Sequence, residues 1–178
     1  MTEYDPDAEG NGEYIVAVVR SAGAVSSVFQ RKVKAVFEQE LGGASADEWY
    51  SVADIAAAFD EIERRAGRDA MESAGRAATE TLPWPEDAET VPAGLAVLND
   101  LHAGAYRNSD RKFPAGRATF ELVGDRTARV GITDDYPYPA SFARGSFRGV
   151  VSSVTGGSAT LTPTEPHDGE RAAWTMEW

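Results

Sequence analysis

The spacing of apolar residues changes at Asn108, and this change constrains the fold more than any other feature of the sequence. Before Asn108, apolar residues recur every three or four positions, as along one face of a helix. Beyond it they alternate with polar residues, as in a strand with one buried face. The sequence therefore predicts an α+β fold in which N-terminal helices precede an antiparallel sheet of two hairpins split by a helix.

Four segments before Asn108 have helical periodicity. The last begins with Pro92 in its first turn and brings Leu95, Leu98 and His102 onto one face. Ser51, with Asp54 three residues later, resembles a capping box at the start of the second segment. Residues 14–23 fit either a short strand or the lead into a helix. The predicted helices cover residues 24–41, 52–66, 68–82 and 91–108.

The second half of the chain contains two predicted hairpins. In the first, Ala118, Phe120 and Leu122 should lie on the same apolar face as Ala128, Val130 and Ile132, with a turn at Gly124-Asp125. A helix over 140–155 follows, in which Gly145 and Gly149 form a smooth ridge for close packing. The second hairpin turns at 165–169 and ends in a strand that carries Trp174 and Trp178.

The charge of the chain excludes several kinds of partner. Its 29 acidic and 17 basic residues give a formal net charge of −12, which repels nucleic acid and anionic lipid. We therefore expect neither nucleic-acid binding nor membrane binding. Only Lys32, Lys34 and Lys112 are lysines, and this excess of carboxylate fits a halophilic protein, since high salt screens self-repulsion.

Length and cysteine content limit the organisation and the compartment. The 178 residues are enough for one domain, which we place at 13–178, with residues 1–12 as a flexible acidic tail. The absence of cysteine excludes disulfides and thiolate chemistry and favours a cytoplasmic location. No apolar run is long enough to span a membrane, so we expect no membrane insertion.

His102 is the candidate functional residue. It is one of two histidines, and the other, His167, lies in a polar turn where solvent exposure is expected. His102 points inward with the leucines of its helix, which leaves two interpretations open: a core histidine bonded to a backbone carbonyl, or a ligand. No nucleophile triad, metal cluster or phosphate loop accompanies it, so we expect a protein that is not an enzyme.

Two groups of charged residues have more than one interpretation. Asp134 and Asp135, with Glu121, could act as paired carboxylates, although such neighbours are expected by chance in so acidic a chain. Arg144 and Arg148 lie off the apolar stripe of their helix. They could bind an anion or pair with acidic residues on the surface.

Three stretches of the sequence carry a resemblance to a known family. They are Phe59-Asp-Glu-Ile-Glu-Arg-Arg-Ala-Gly67 with Gly75-Arg76, Leu98-Asn-Asp-Leu-His102, and Phe142-Ala-Arg-Gly-Ser-Phe-Arg-Gly149 followed by a strand ending in tryptophan. Together with the order of elements, they make the chain similar to the haem-NO/oxygen-binding (H-NOX) superfamily. The resemblance spans nearly everything after residue 50.

The resemblance implies a role for His102 and also a departure from the family. In the family, the histidine matching His102 is the axial ligand of the haem iron, and a Tyr-x-Ser-x-Arg motif binds the haem propionates. Here that motif is replaced by Ile132-Thr-Asp134-Asp-Tyr136, in which all three signature positions differ and Asp134 would repel a propionate. Related 4-vinyl reductase and Bet3-like domains share the architecture without haem, so the resemblance implies a haem-free relative.

These observations predict a non-enzymatic sensory or small-molecule-binding module with an apolar pocket between helices and sheet. The expected ligand contacts are His102, Leu98 and Phe142, with an apolar small molecule as ligand and no cofactor. One alternative is a haem-based sensor of NO or O2 that binds the haem iron through His102. Another is a scaffold protein that dimerises through its helices. A homodimer or a signalling protein is the expected macromolecular partner.

Overall fold

The computed structural model of the protein describes residues 4–178. None of the helices in this part of the chain combines the length and the apolar character needed to cross a membrane. The elements of the described residues are, in chain order, β1 (Glu9–Asn11), α1 (Gly12–Val25), α2 (Ser27–Leu41), β2 (Trp49–Ser51), α3 (Val52–Ala66), α4 (Arg68–Glu80), α5 (Val91–Gly104), β3 (Tyr106–Arg107), β4 (Ala118–Gly124), β5 (Thr127–Thr133), α6 (Ala140–Thr155), β6 (Thr160–Thr164) and β7 (Glu170–Glu177).

The predicted pair of hairpins forms a four-stranded antiparallel sheet with the order β4-β5-β7-β6. The hairpins join through their second strands, where Val130 of β5 lies opposite Trp174 of β7. Val130 is fully buried and Trp174 nearly so, under α6. The α+β architecture, with one helix between the two hairpins, is therefore confirmed.

Several helix bounds agree with the prediction because a cap and an apolar stripe coincide. The helix α3 begins after Ser51, whose hydroxyl accepts a hydrogen bond from the Asp54 amide at 3.1 Å. The helix α6 has the predicted bounds. Residues 24–41, predicted as one helix, divide at Ser26, whose hydroxyl caps α2 by accepting from the Phe29 amide at 3.0 Å. The undecided segment 14–23 belongs to α1.

Two helices end earlier than predicted. The helix α4 ends at Glu80 and α5 at Gly104. Beyond α5, Tyr106 and Arg107 leave the helical path because they pair with β1 as strand β3. A two-residue strand has no periodicity that the sequence could show.

The expectation of a flexible tail over residues 1–12 is wrong for the described part of that segment. Strand β1 is the central strand of a second sheet, with the order β2-β1-β3, and Ala8 before it is fully buried. Gly12 lies so close to the Ser45 carbonyl that a Cβ atom would overlap it. Strand β1 has three residues with glycine at its centre, so it shows no apolar alternation, and its acidic sequence resembles that of a tail. Residues 1–3 lie outside the described residues.

Helices α4 and α6 contact each other closely at glycine residues, and the predicted ridge of Gly145 and Gly149 lies in this contact. A Cβ atom on Gly145 would overlap the carbonyl oxygen of Glu72, and one on Gly75 would overlap the carbonyl oxygen of Phe142. At Gly149 a Cβ atom would lie 2.9 Å from the Arg76 carbonyl oxygen. Backbone therefore lies against backbone along this contact, and α6 is held in place over the sheet.

The apolar face predicted for the first hairpin is only partly buried. On β5, Ala128, Val130 and Ile132 are fully buried, but Phe120 and Leu122 on β4 are 37% and 53% exposed. The helices cover β5 and β7 and reach only the start of β4. Alternation identifies the face of a strand but not how far the covering layer extends.

Replacing Gly145 by alanine should destabilise the protein. The new methyl group meets backbone atoms of α4 that cannot rotate away, and overpacking of this kind costs about 1 to 3 kcal/mol. Gly104→Ala is the matched control, because its Cβ meets nothing within 4 Å and alanine favours helix. Urea unfolding should separate the two variants, and equal stabilities would contradict the close α4–α6 contact.

Candidate functional site

His102 lies on the buried face of α5 and forms a hydrogen bond to backbone. Its side chain is 8% exposed, and its Nε2 is 3.0 Å from the carbonyl oxygen of Ala115. A carbonyl can only accept, so Nε2 carries the proton. In a neutral imidazole this leaves Nδ1 as the acceptor. The geometry agrees with the interpretation of His102 as a core histidine bonded to a backbone carbonyl.

The surroundings of His102 keep its ring uncharged. Burial is the largest effect and lowers the pKa of His102 to about 4, while the carbonyls of Ala115 and Gly116 and the charge of Asp135 oppose it. A cation at this position would lose its hydration without gaining a close anionic partner. His102 therefore acts as a neutral donor and acceptor near pH 7.

Three tyrosine rings enclose the imidazole. The ring centroids of Tyr136, Tyr106 and Tyr138 lie 4.8, 4.9 and 5.8 Å from that of His102. The hydroxyls of Tyr106 and Tyr138 are 2.6 Å apart and share a hydrogen bond. Burial raises the pKa of both phenols well above the usual value, so both stay protonated.

The tyrosines continue into an aromatic core. Tyr138 contacts Phe59, Phe142 and Tyr14, with ring centroids 4.7, 5.4 and 5.7 Å away. Phe59 and Phe142 also meet each other edge to face, at 5.4 Å. These rings, contributed by α1, α3, α6 and the segment before α6, form one packed cluster.

A cavity of about 280 Å³ opens beside His102. Helices α1, α4, α5 and α6 and the segments next to them surround it, and among the described residues no member of the four-stranded sheet lines it. The pocket that we expected between helices and sheet lies instead among helices. The residues that form its apolar walls are Tyr14, Ala17, Val18, Ala78, Leu82, Pro83, Leu98, Leu101, Ala105 and Tyr136.

The polar groups of the cavity disfavour an anionic ligand. Asn11, Glu13, Thr79 and Thr81 contribute to the lining beside His102. No lysine or arginine is among the lining residues of the described chain, whereas Glu13 supplies a carboxylate. An anionic ligand would therefore lack a cationic partner there.

The structure brings two of the three predicted ligand contacts together. Leu98 and His102, four residues apart on α5, both line the cavity. Phe142 does not, because its buried ring packs against Phe59 and Tyr138 in the aromatic core. Sequence reasoning missed Tyr14 and Tyr136; the repeated Tyr-Pro of residues 136–139 is the signal that could have indicated the second.

The remaining candidate residues form no second site. Arg144 and Arg148 both pair with Glu72, at 3.0 and 3.1 Å, which is the surface pairing considered for them. His167 is exposed in its turn. Within residues 4–178, no cluster of three or more histidine or carboxylate side chains is placed to hold a metal ion.

Comparison with known proteins identifies the fold. No protein-family model matches the chain, and no curated protein matches it in sequence. Among solved structures, the chain is similar to a mutant H-NOX domain of T. tengcongensis, with 10% identity, a TM-score of 0.62, and coverage of 93% of this chain and 94% of that one. The protein therefore has an H-NOX-like fold.

Two further structures support this assignment. An oxygen-binding H-NOX domain related to soluble guanylate cyclases, solved as its oxygen complex, has 10% identity and a TM-score of 0.57, covering 93% of this chain and 92% of that one. A protein studied for modulation of haem redox potential through porphyrin distortion has 12% identity and a TM-score of 0.61, covering 94% and 97%. At these identities the likeness concerns the fold alone.

The residues of this site do not fit haem. The Nε2 atom of His102 is bonded to Ala115, and the rings of Tyr106, Tyr136 and Tyr138 pack around the imidazole where a porphyrin would need space. The cavity, at about 280 Å³, is smaller than the usual volume of about 300 to 1,000 Å³ for drug-sized ligands. Its lining offers propionates a carboxylate and no cation.

The buried neutral state of His102 predicts a pH-dependent stability. The usual pKa is 6.5 and the folded value is about 4, so between these values the unfolded chain binds a proton that the folded chain does not. Stability is therefore lost as the pH falls through this window, by about 2 kcal/mol from pH 7 to pH 5. Urea unfolding at several pH values measures this loss.

Two variants isolate the contribution of His102. His102→Gln can keep a donor near Ala115 but does not titrate, so its loss between pH 7 and pH 5 should be much smaller. His167→Gln changes the exposed histidine and should keep the loss shown by the unchanged protein. Equal pH dependence in His102→Gln and the unchanged protein would show that His102 is not held neutral by burial.

Proposed function

We propose that the protein is a non-enzymatic sensory or small-molecule-binding module that binds an uncharged, largely apolar molecule beside His102. The observation that carries this proposal is the cavity of about 280 Å³ next to a neutral, hydrogen-bonded histidine. Apolar walls with a few convergent polar groups are typical of small-molecule sites. The volume lies just below the usual range of about 300 to 1,000 Å³ and therefore suits a small ligand.

The chemistry of the lining indicates the kind of ligand. Leu98 and Leu101 of α5 supply apolar surface, and Tyr14 and Tyr136 supply aromatic surface. The Nδ1 atom of His102 is left to accept a hydrogen bond, because Nε2 already donates to Ala115. An apolar molecule with one N–H or O–H donor matches these groups.

The position of the cavity suits a sensor. His102 lies on α5 and is bonded to the segment that leads into β4, while Tyr136 lies in the connection from β5 to α6. A ligand that displaces either ring would act on the first hairpin of the sheet, β4 with β5. Structurally similar proteins include an oxygen-binding H-NOX domain, which supports a ligand-sensing use of this fold.

The two alternatives receive less support from the residues. A haem-based gas sensor needs space for a porphyrin beside the imidazole and a cationic anchor for the propionates. Instead, the rings of Tyr106, Tyr136 and Tyr138 pack around His102, and the lining offers a carboxylate. A scaffold that dimerises through its helices needs an apolar helix face. Among the described residues, Val28 is the one large exposed hydrophobic side chain on a helix.

Filling the cavity should abolish ligand binding without unfolding the protein. Indole, which combines an apolar ring with one N–H donor, is the probe, and its binding should raise the melting temperature in proportion to RT ln(1 + [L]/Kd). Ala78→Phe places a ring in the cavity and should remove this increase. Ala57→Phe, at an exposed position of α3 outside the cavity, should retain it.

The same experiment includes outcomes that contradict the proposal. An increase that is equal in Ala78→Phe and Ala57→Phe would place indole elsewhere on the protein. If neither indole nor benzene, which lacks the donor, stabilises the unchanged protein at millimolar concentration, the cavity is not a site for small aromatic molecules. A weaker effect of benzene than of indole is expected, since benzene offers nothing to Nδ1.

A further inference from the structure

Strand β4 leaves one edge of the four-stranded sheet open. The Thr133 amide donates to the Arg117 carbonyl, so the backbone groups of Arg117 point toward β5. Backbone groups alternate in direction along a strand. The N–H and C=O groups of Ala118, Phe120 and Leu122 therefore point to the open edge.

Asn99 closes the first part of this edge. Its side-chain amide donates to the Ala118 carbonyl at 2.9 Å and accepts from the Ala118 N–H, also at 2.9 Å. The amide thus imitates a residue of a neighbouring strand. Phe120 and Leu122 are left as the two residues with backbone groups directed to the free edge.

The same strand carries three of the four large hydrophobic side chains that are exposed among the described residues. Phe120, Leu122 and Val123 are 37%, 53% and 58% exposed, and Val28 on α2 is the one other large hydrophobic side chain so exposed among the described residues. The opposite edge of the sheet, β6, contains Pro163, which cannot donate a hydrogen bond and blocks pairing. The two edges are therefore not equivalent.

We propose that β4 pairs with β4 of a second copy of this chain, antiparallel about a twofold axis at Glu121. This proposed dimer is a property separate from the ligand-binding role and does not depend on it. The register places Phe120 of each copy opposite Leu122 of the other copy. Both pairs are hydrogen-bonded pairs, so every open backbone N–H and C=O group of these two residues finds a partner. A register centred on Phe120 would instead need Ala118, which Asn99 already occupies.

Charged residues near β4 both favour and oppose the pairing of two copies, and they predict how the dimer responds to salt. In this register Arg117, just before β4, comes to the end of the other copy's β4, where Asp125 begins the turn after the irregularity between Leu122 and Gly124. The two Glu121 side chains, in contrast, face each other across the axis, and like charges directly opposite are destabilising. Dimerisation should therefore strengthen with salt, which screens this repulsion and that between two chains of charge −12.

Sedimentation equilibrium over a range of protein and salt concentrations tests this proposal. Leu122→Asp should weaken the dimer at least about tenfold, which corresponds to 1.4 kcal/mol. Val28→Asp, which adds the same charge to an exposed valine on α2, should weaken it much less. Glu121→Gln should tighten the dimer and reduce its salt dependence.

A charge exchange tests the register. Arg117→Asp and Asp125→Arg should each weaken the dimer, and the double variant should restore it. Thermal unfolding of every variant identifies any loss of affinity that comes from a loss of folding. A protein that stays monomeric at millimolar concentration in molar salt would overturn the proposal, as would a dimer broken by Val28→Asp but not by Leu122→Asp.

Discussion

The hydrogen bond from His102 Nε2 to the Ala115 carbonyl links the helical half of the protein to the sheet. It fastens α5 to the segment that leads into β4, it fixes the tautomer of the imidazole, and it leaves Nδ1 as an acceptor. Burial keeps the ring neutral, so the bond does not require a counter-ion. In the proposed ligand site, this arrangement leaves one neutral acceptor, Nδ1.

The aromatic core explains how an H-NOX-like fold is stabilised here. Tyr138 is fully buried among Phe59, Phe142 and Tyr14, and its hydroxyl is satisfied by Tyr106. These side chains form one packed interior cluster, and the cavity lies beside it, among helices. The backbone contact of α4 with α6 through Gly145 holds the helical layer against this core.

Caps and apolar periodicity predict the helices and strands well, but they do not predict contacts between residues that are distant in the sequence. The predicted bounds of α3 are correct because its cap, Ser51, and its apolar stripe both lie within the segment. The bounds of α6 are correct because its apolar stripe also lies within the segment. That His102 would bond a carbonyl was one of two open interpretations, but Ala115, thirteen residues away, could not be identified from spacing. Phe142 shows the same limit. Periodicity predicts that its side chain points inward, but it does not predict which interior residues the side chain contacts.

We propose that this chain uses the H-NOX-like fold with His102 as a hydrogen-bonded core residue and not as an iron ligand. The most direct measurement is the absorption spectrum of protein purified from cells supplied with a haem precursor, for the unchanged chain and for His102→Ala. We expect no Soret band, and only weak binding of added haemin that does not depend on His102. A stoichiometric Soret band that disappears in His102→Ala would contradict the account.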